Sequence, residues 1–213
     1  MEKFILKSLF ILGALTLAGC APAEVQDITG LDSYTIVTGS FSQADSTAVH
    51  GTGTIRFTET LVNYSSKSIA FKASLNDTIA MSTVTVVFYA VNSNIPANDG
   101  IQIQFARSGA SVTGTIRNNS SSSTMNNANL TFLFPTSLDL IVEVHNVGTK
   151  ATVIIWRRNM VEYSVATADI YSENAGDISP ALPNTHAGGT FVGMILQNAT
   201  VTAAKIENQR VLD

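Results

Sequence analysis

From Lys67 to Leu75 the chain reads KSIAFKASL, in which Ile69, Phe71, Ala73 and Leu75 alternate with Ala70, Lys72 and Ser74. Successive side chains of a strand point to opposite faces, so this run buries a single apolar face only as β-structure. The alternation returns at Ile101, Ile103 and Phe105 against Gln102 and Gln104. It returns again at Leu138, Leu140, Val142 and Val144 against Asp139, Ile141, Glu143 and His145. The run VTVVFYAV, residues 84–91, is apolar on both parities, which predicts a strand in the middle of a sheet. No window carries the apolar period of an amphipathic helix.

Extending this reading over the Thr-, Ser-, Asn-, Val- and Ile-rich remainder predicts strands near 33–41, 52–62, 67–75, 82–91, 100–106, 111–117, 129–134, 137–146, 150–157, 160–166, 190–197 and 199–208. Turn chemistry separates them, as at Asn98-Asp99-Gly100, Arg158-Asn159 and His186-Ala187-Gly188-Gly189. Two longer connections are expected: the low-complexity 118–128, expected to be mobile, and 168–189, which holds Pro180 and Pro183 and is expected to cross a sheet edge. About twelve strands in one domain over 33–213 fit an all-β, two-sheet antiparallel β-sandwich of jelly-roll type better than a seven-stranded immunoglobulin-like domain.

Upstream of that domain the chain is of a different kind. Lys3 and Lys7 precede an uncharged run from Ser8 to Leu17. Its apolar core, about ten residues at ~1.5 Å each, is too short for a ~30 Å hydrocarbon layer and reads as an export signal, residues 1–19. The sequence Leu17-Ala18-Gly19-Cys20 resembles the lipobox of bacterial lipoproteins. The resemblance implies cleavage before Cys20, acylation of its thiol and of the new amino terminus, and a lipid anchor in the cell envelope; two or three chains hold stably at ~0.8 kcal/mol per buried CH₂. Ala21, where retained enteric lipoproteins tend to carry Asp, implies the outer membrane by the same analogy. Residues 20–32 then read as a lipidated tether of at most about 40 Å.

Cys20 is the sole cysteine, so no intrachain disulfide forms and the domain relies on packing and hydrogen bonds. Without residues 1–19 the formal charge is about −5. No basic patch argues for nucleic acid, and the expected partners are the membrane, through the lipid, and a glycan or an envelope protein.

The paired strands KSIAFKASL and STVTVVFYAV leading to GIQIQFA, the hairpin DLIVEVHNVGTKATVIIWRRNMVEYSV, and the terminal GGTFVGMILQNATVTAAKIENQ resemble the concanavalin A-like lectin and glucanase superfamily, including laminin-G-like domains. Glycosidases of that superfamily place Glu, Asp and Glu at alternate positions of one strand; the corresponding places here hold Asp139, Ile141 and Glu143. Residues four apart on a strand are separated by ~13 Å. Retaining and inverting hydrolysis need carboxyls about 5–5.5 Å and about 6.5–9.5 Å apart, so Asp139 and Glu143 form neither pair without a bulge or another strand. The favoured alternative is a solvent-facing polar row. The resemblance also raises a structural calcium held by Asp77, Asp99 or Asp177, although no loop shows an oxygen-rich ligand series. His50, His145 and His186 have no metal-ligand spacing, and Glu143 with His145 does not make a zinc site.

Trp156, in VIIWRRN, lies beside Arg157 and Arg158 and could stack on a sugar while the guanidinium groups donate to hydroxyls or carboxylates; equally it fits a core or edge aromatic. Tyr89 and Tyr171 are further aromatic candidates. The expected function is non-catalytic glycan binding by a sheet face or rim loops, with Trp156, Arg157, Arg158, Glu143, His145 and Asp139 as candidate contacts. A structural or adhesive protein-interaction module is the alternative, and a glycoside hydrolase stands third.

Overall fold

The computed structural model describes residues 28–61, 67–76, 78, 81–97, 99–109, 111–118, 121–124, 136–147, 150–158, 163, 165–172 and 189–208. Twelve strands run through them: β1 (Gly30–Leu31), β2 (Tyr34–Ala44), β3 (Val49–Thr60), β4 (Lys67–Leu75), β5 (Ser82–Ala90), β6 (Ile101–Ser108), β7 (Ser111–Asn118), β8 (Ser121–Thr124), β9 (Ser137–Val147), β10 (Lys150–Arg157), β11 (Ile170–Ser172) and β12 (Phe191–Asn208). The helical structure among the described residues is one 3₁₀ turn, Val165–Thr167. That turn replaces part of the strand expected over 160–166. The low-complexity connection contributes β8, and the long connection after residue 168 contributes β11. The strand expected over 129–134 lies outside the described residues.

The N-terminal boundary also moves. Ile28 is buried, Gly30 and Leu31 pair in parallel with Ala203 and Ala204, and an Asp32 carboxylate oxygen accepts the Ile206 N–H at 2.8 Å. Residues 28–32, read from sequence as tether, are therefore packed against the sheet.

The two strands expected over 190–197 and 199–208 are a single strand of 18 residues, and the architecture hangs on it. Along one edge β12 pairs first with β5, through Gln197 with Thr83, and then with β4, from Ala199 with Leu75. Its other edge carries β3 and then β1. One half of β12 thus belongs to a wing ordered β8-β7-β6-β5-β12-β3-β2, and the other to a wing ordered β11-β10-β9-β4-β12.

The change of partner falls at Asn198, which adopts φ 49°. This left-handed conformation is uncommon outside glycine, and asparagine tolerates it best of the ordinary residues. Buried Ser82 bridges the fork: its Oγ donates to the Asn198 carbonyl at 2.8 Å and accepts the Asn76 N–H at 2.9 Å. Asn198 N–H donates to Thr52 Oγ at 3.0 Å, and its amide reaches the Met81 carbonyl at 3.3 Å.

The wings enclose one core. Ile69 and Phe71 of β4, Leu140 and Val142 of β9 and Val153 of β10 meet Val86 of β5 and Ile103 and Phe105 of β6. The rings of Phe71 and Phe105, from opposite wings, lie 6.2 Å apart. Every parity read from KSIAFKASL, from Ile101, Ile103 and Phe105, and from the strand at 138–144 is the one the core uses. Of the doubly apolar run, the residues within β5 are buried, with Val84, Val86 and Phe88 inward and Val87 outward beneath Ile95, while Val91, just past the strand, is 49% exposed.

Among the described residues β2 pairs only with β3 and is an edge. Its register slips twice, between Ile36 and Thr38 and between Phe41 and Gln43. Gly39 faces Gly53, and a Cβ on Gly53 would come within 2.8 Å of the Phe41 ring, so the ring covers backbone that only glycine leaves open. At the hairpin tip the Asp45 carboxylate accepts from the Thr47 hydroxyl and the Thr47 and Ala48 N–H groups, which hold it down at about 2.

Replacing Ser82 by Ala leaves the Asn76 N–H and the Asn198 carbonyl without their buried partner. The expected loss is about 1–3 kcal/mol, read as a lower urea midpoint at unchanged slope. A wild-type midpoint would show that the bridge does not hold the fork.

Candidate functional site

β9 and β10 bring the candidate residues onto one outer face, except Arg157, which has the parity of the core-facing Val153 and Ile155 at the end of β10. Arg157 pairs with Leu140, Trp156 with Ile141 and Ile154 with Glu143, while β4 sets Lys72 beside Asp139 and Ser68 beside Glu143. With Leu138, Leu140, Val142 and Val144 turned to the core, Asp139, Ile141 and Glu143 must point outward. That face is not the expected wet polar row. Ile28, Ala70, Ile141, Ile154, Trp156, Tyr163 and Ala203 close over it as a second apolar cluster.

The candidates are consumed by this closure. Trp156 is 0% exposed, and its ring meets Tyr163 edge-on at 6.0 Å, so it packs against a tyrosine where a sugar was expected. The Tyr163 hydroxyl donates to the Arg158 carbonyl. Arg158 is buried; its guanidinium meets Asp139 at 3.1 Å and its N–H meets the Asp139 carbonyl at 2.9 Å. Arg157 forks onto Asp169, Nη2 to Oδ1 at 2.8 Å, with its backbone N–H on Oδ2 at 2.8 Å. Glu143 is 0% exposed. His145 pairs through its backbone with Thr152, and its side chain is outside the described set. Of the candidates whose side chains are described, only Arg157 and Asp139 keep substantial exposure, and each already holds an opposite charge.

Tyr89 is likewise corrected. Phe191 pairs with Ala90 and Gly193 with Val87, so Phe88 and Tyr89 both stand against Val192. At φ 57° Tyr89 turns inward, is fully buried and donates its hydroxyl to the Val144 carbonyl of the opposite wing at 3.5 Å. Burial pushes its pKa well above the ordinary phenol value. Sequence alternation alone could not show a bulge. The Tyr171 side chain lies outside the described set.

Asp99, one of three aspartates that the resemblance raised for a structural calcium, faces donors. Its oxygens accept from the Val91 N–H at 3.1 Å, the Asn92 N–H at 2.7 Å and the Asn92 amide at 3.0 Å, which ties the 91–100 loop into a closed turn. A carboxylate surrounded by N–H groups does not fit a calcium cage, which needs several converging oxygens. Burial raises its pKa, but the hydrogen bonds from Asn92, Val91 and Gly100 outweigh burial and hold it below the usual carboxylate value. Asp77, Asp177 and His186 lie outside the described residues. His50 Nδ1 stands 2.6 Å from the Thr200 hydroxyl. Among the described residues no group of three or more His, Cys, Asp or Glu could hold a metal.

The outer face of the other wing has a different character. Ile195 of β12 sits in register with Thr54 of β3 and Thr85 of β5. The row continues from Thr85 to Gln104 of β6, Thr115 of β7 and Thr124 of β8. A parallel row runs Gln197, Thr83, Ala106 and Thr113. Thr54 and Thr85 are buried, Ile195, Gln104 and Thr115 partly exposed, and Gln197 and Thr113 exposed. Gln104 donates to the Thr85 hydroxyl at 3.3 Å. The signal for this face was present in sequence as the Thr and Gln positions opposite the apolar parity, which strand register alone brings into line.

The fold is that of lectin-like β-sandwich domains. The structure is similar to the exoplasmic/lumenal domain of VIP36 in its Ca²⁺/Man3GlcNAc-bound form, with TM-score 0.50 and 12% identity over 84% of this chain and 85% of that one. It is also similar to the carbohydrate binding module CBM66 from Bacillus subtilis, with TM-score 0.45 and 12% identity over 85% of this chain and 98% of that one. No protein-family model matches the sequence, and no curated protein matches it.

Because the Asp99 carboxylate titrates lower folded than unfolded, its contribution is fully present above the unfolded value, about 3.9, and fades as pH falls through the lower folded value. Asp99→Asn should therefore flatten the acid limb of stability below about pH 4 and lower the neutral-pH plateau. Urea midpoints across pH 2–7 measure both, and parallel curves for variant and wild type would contradict this assignment.

Proposed function

We propose that the chain is a bacterial envelope lipoprotein, held in the outer membrane through Cys20, whose lectin-like sandwich binds a glycan without chemistry. The observation that carries the binding half is the register of Thr and Gln side chains across β3, β12, β5, β6 and β7, on the face opposite the core. Hydroxyls and amides both donate and accept, which matches the hydroxyls of a sugar, and a row that crosses several strands accepts an extended chain. By contrast, the β9–β10 face is closed and its arginines are paired. Sugar contact therefore belongs on the Thr and Gln face, and Trp156, Arg157, Arg158, Glu143 and Asp139 serve the architecture.

The likeness to VIP36 supports this at the level of fold. The anchoring half rests on Lys3, Lys7, the uncharged run to Leu17 and the Leu17-Ala18-Gly19-Cys20 junction. Hydrolysis has no support from the candidate strand, where Glu143 is fully buried and Asp139 binds Arg158.

A glycan array with full-length protein tests the binding half. Thr115→Glu, which places a charge in the middle of the row, should reduce binding of any hit at least tenfold, whereas Asp139→Ala should leave it unchanged. The reverse pattern would move the site to β9–β10. Cys20→Ser should remove the protein from the detergent-soluble membrane fraction of processed material and leave an uncut signal. A normal processed mass in that variant would refute the anchor.

A further inference from the structure

Resting on the glycan-binding reading, a finer statement concerns the charge of the sugar. Arg117 lies on the Thr and Gln face of β7, two residues from Thr115, opposite Gln102 of β6 on one side and Ser122 of β8 on the other. Its Nε is buried and has no hydrogen-bond partner. A guanidinium is always charged, and a buried donor of a charged group left without an acceptor is rare enough to require a cause.

The other described arginines are all engaged. Arg157 holds Asp169 and Arg158 holds Asp139. Arg107 donates to the Gly109 carbonyl, and Arg56 donates to the Ser93 carbonyl while lying 5.3 Å over the Phe191 ring. The outward positions of β5, β6 and β7 hold no Asp or Glu, so the sheet itself supplies Arg117 with no counter-charge. Arg56 shares this outer face through its register with Gly193 but is held by the Ser93 carbonyl and the Phe191 ring, so among the described residues Arg117 is the cation of the face that no carboxylate meets.

We propose that this face recognises an acidic saccharide, one whose sugar hydroxyls are taken by Thr115, Gln104 and Thr113 and whose carboxylate is taken by Arg117. The planar guanidinium matches a carboxylate with two parallel N–H donors, and such charge-assisted pairs are stronger than neutral ones. Glycan binding supplies the neutral part of the affinity, and Arg117 supplies the selection for acid over neutral sugar. A uronic-acid chain fits both halves, because each residue carries hydroxyls on a ring and one carboxylate.

The test uses full-length protein in detergent and calorimetric titration with oligogalacturonate and oligomannuronate, each beside its methyl ester, which keeps the sugar and removes the charge. The wild type should prefer at least one acid over its ester by tenfold or more. In Arg117→Gln that preference should vanish while the weaker affinity for the ester remains. Arg117→Lys, which keeps charge without the fork, should retain only part of it, and thermal melts near wild type establish that both variants fold. Equal affinity for acid and ester, or a preference that survives Arg117→Gln, would overturn the proposal. Binding of neutral glycans alone would overturn it while leaving the glycan-binding reading intact, and a blank result on acidic and neutral sugars alike would overturn both.

Discussion

The hydrogen bond from Ser82 to the Asn198 carbonyl sits where one strand must serve two sheets. A strand has two edges, and each backbone group that leaves a partner inside a protein must find another. β12 meets this by exchanging β5 for β4 within two residues, Gln197 to Ala199, with Asn198 turned to φ 49° between them. Ser82 accepts from the departing β4 segment and donates to β12, so the gap that opens between β4 and β5 is filled by a hydroxyl that both sides need. From this fork the wings separate and fold over one another, and the shared core follows from the alternation each strand already carries.

The inward residues were legible because alternation is local: one side chain in two faces the core whichever strand lies beside it. The partners that decide the outward residues are distant in sequence, and there the reading fell short. Trp156 and Arg158 looked available because nothing in VIIWRRN reveals that Tyr163 and Asp139 close on them. Arg157 looked available because Asp169 lies in a connection with no strong pattern. Asn198 read as a turn between two strands, since its residue type favours the left-handed region that a continuous strand rarely visits. Tyr89 read as an aromatic candidate for a ligand, and one extra residue in β5 turns it into the core.

The two outer faces divide the labour of the surface. In the β9–β10 wing the charges pair with one another: Arg158 meets Asp139 on the outer face, Arg157 meets Asp169 at the strand end, and the tryptophan packs with Tyr163 over the sheet. The second face has few: its Thr and Gln positions carry no charge, Arg56 is held by the Ser93 carbonyl, and among the described residues no carboxylate meets Arg117. Ordered polar groups with unfilled hydrogen-bonding capacity are what recognition requires, and ion-paired ones are what a closed surface requires.

The edge strand β2 has a consequence for crowding. Eleven residues of Thr, Ser, Gln and apolar side chains, bearing no charge, would ordinarily template pairing with another copy. Each of its two bulges displaces the backbone by one residue relative to β3, so a second strand laid alongside would meet three short registers in place of one long one. The higher the local density of copies, the more often such edges meet. An edge broken in this way lets neighbouring copies collide without zipping together.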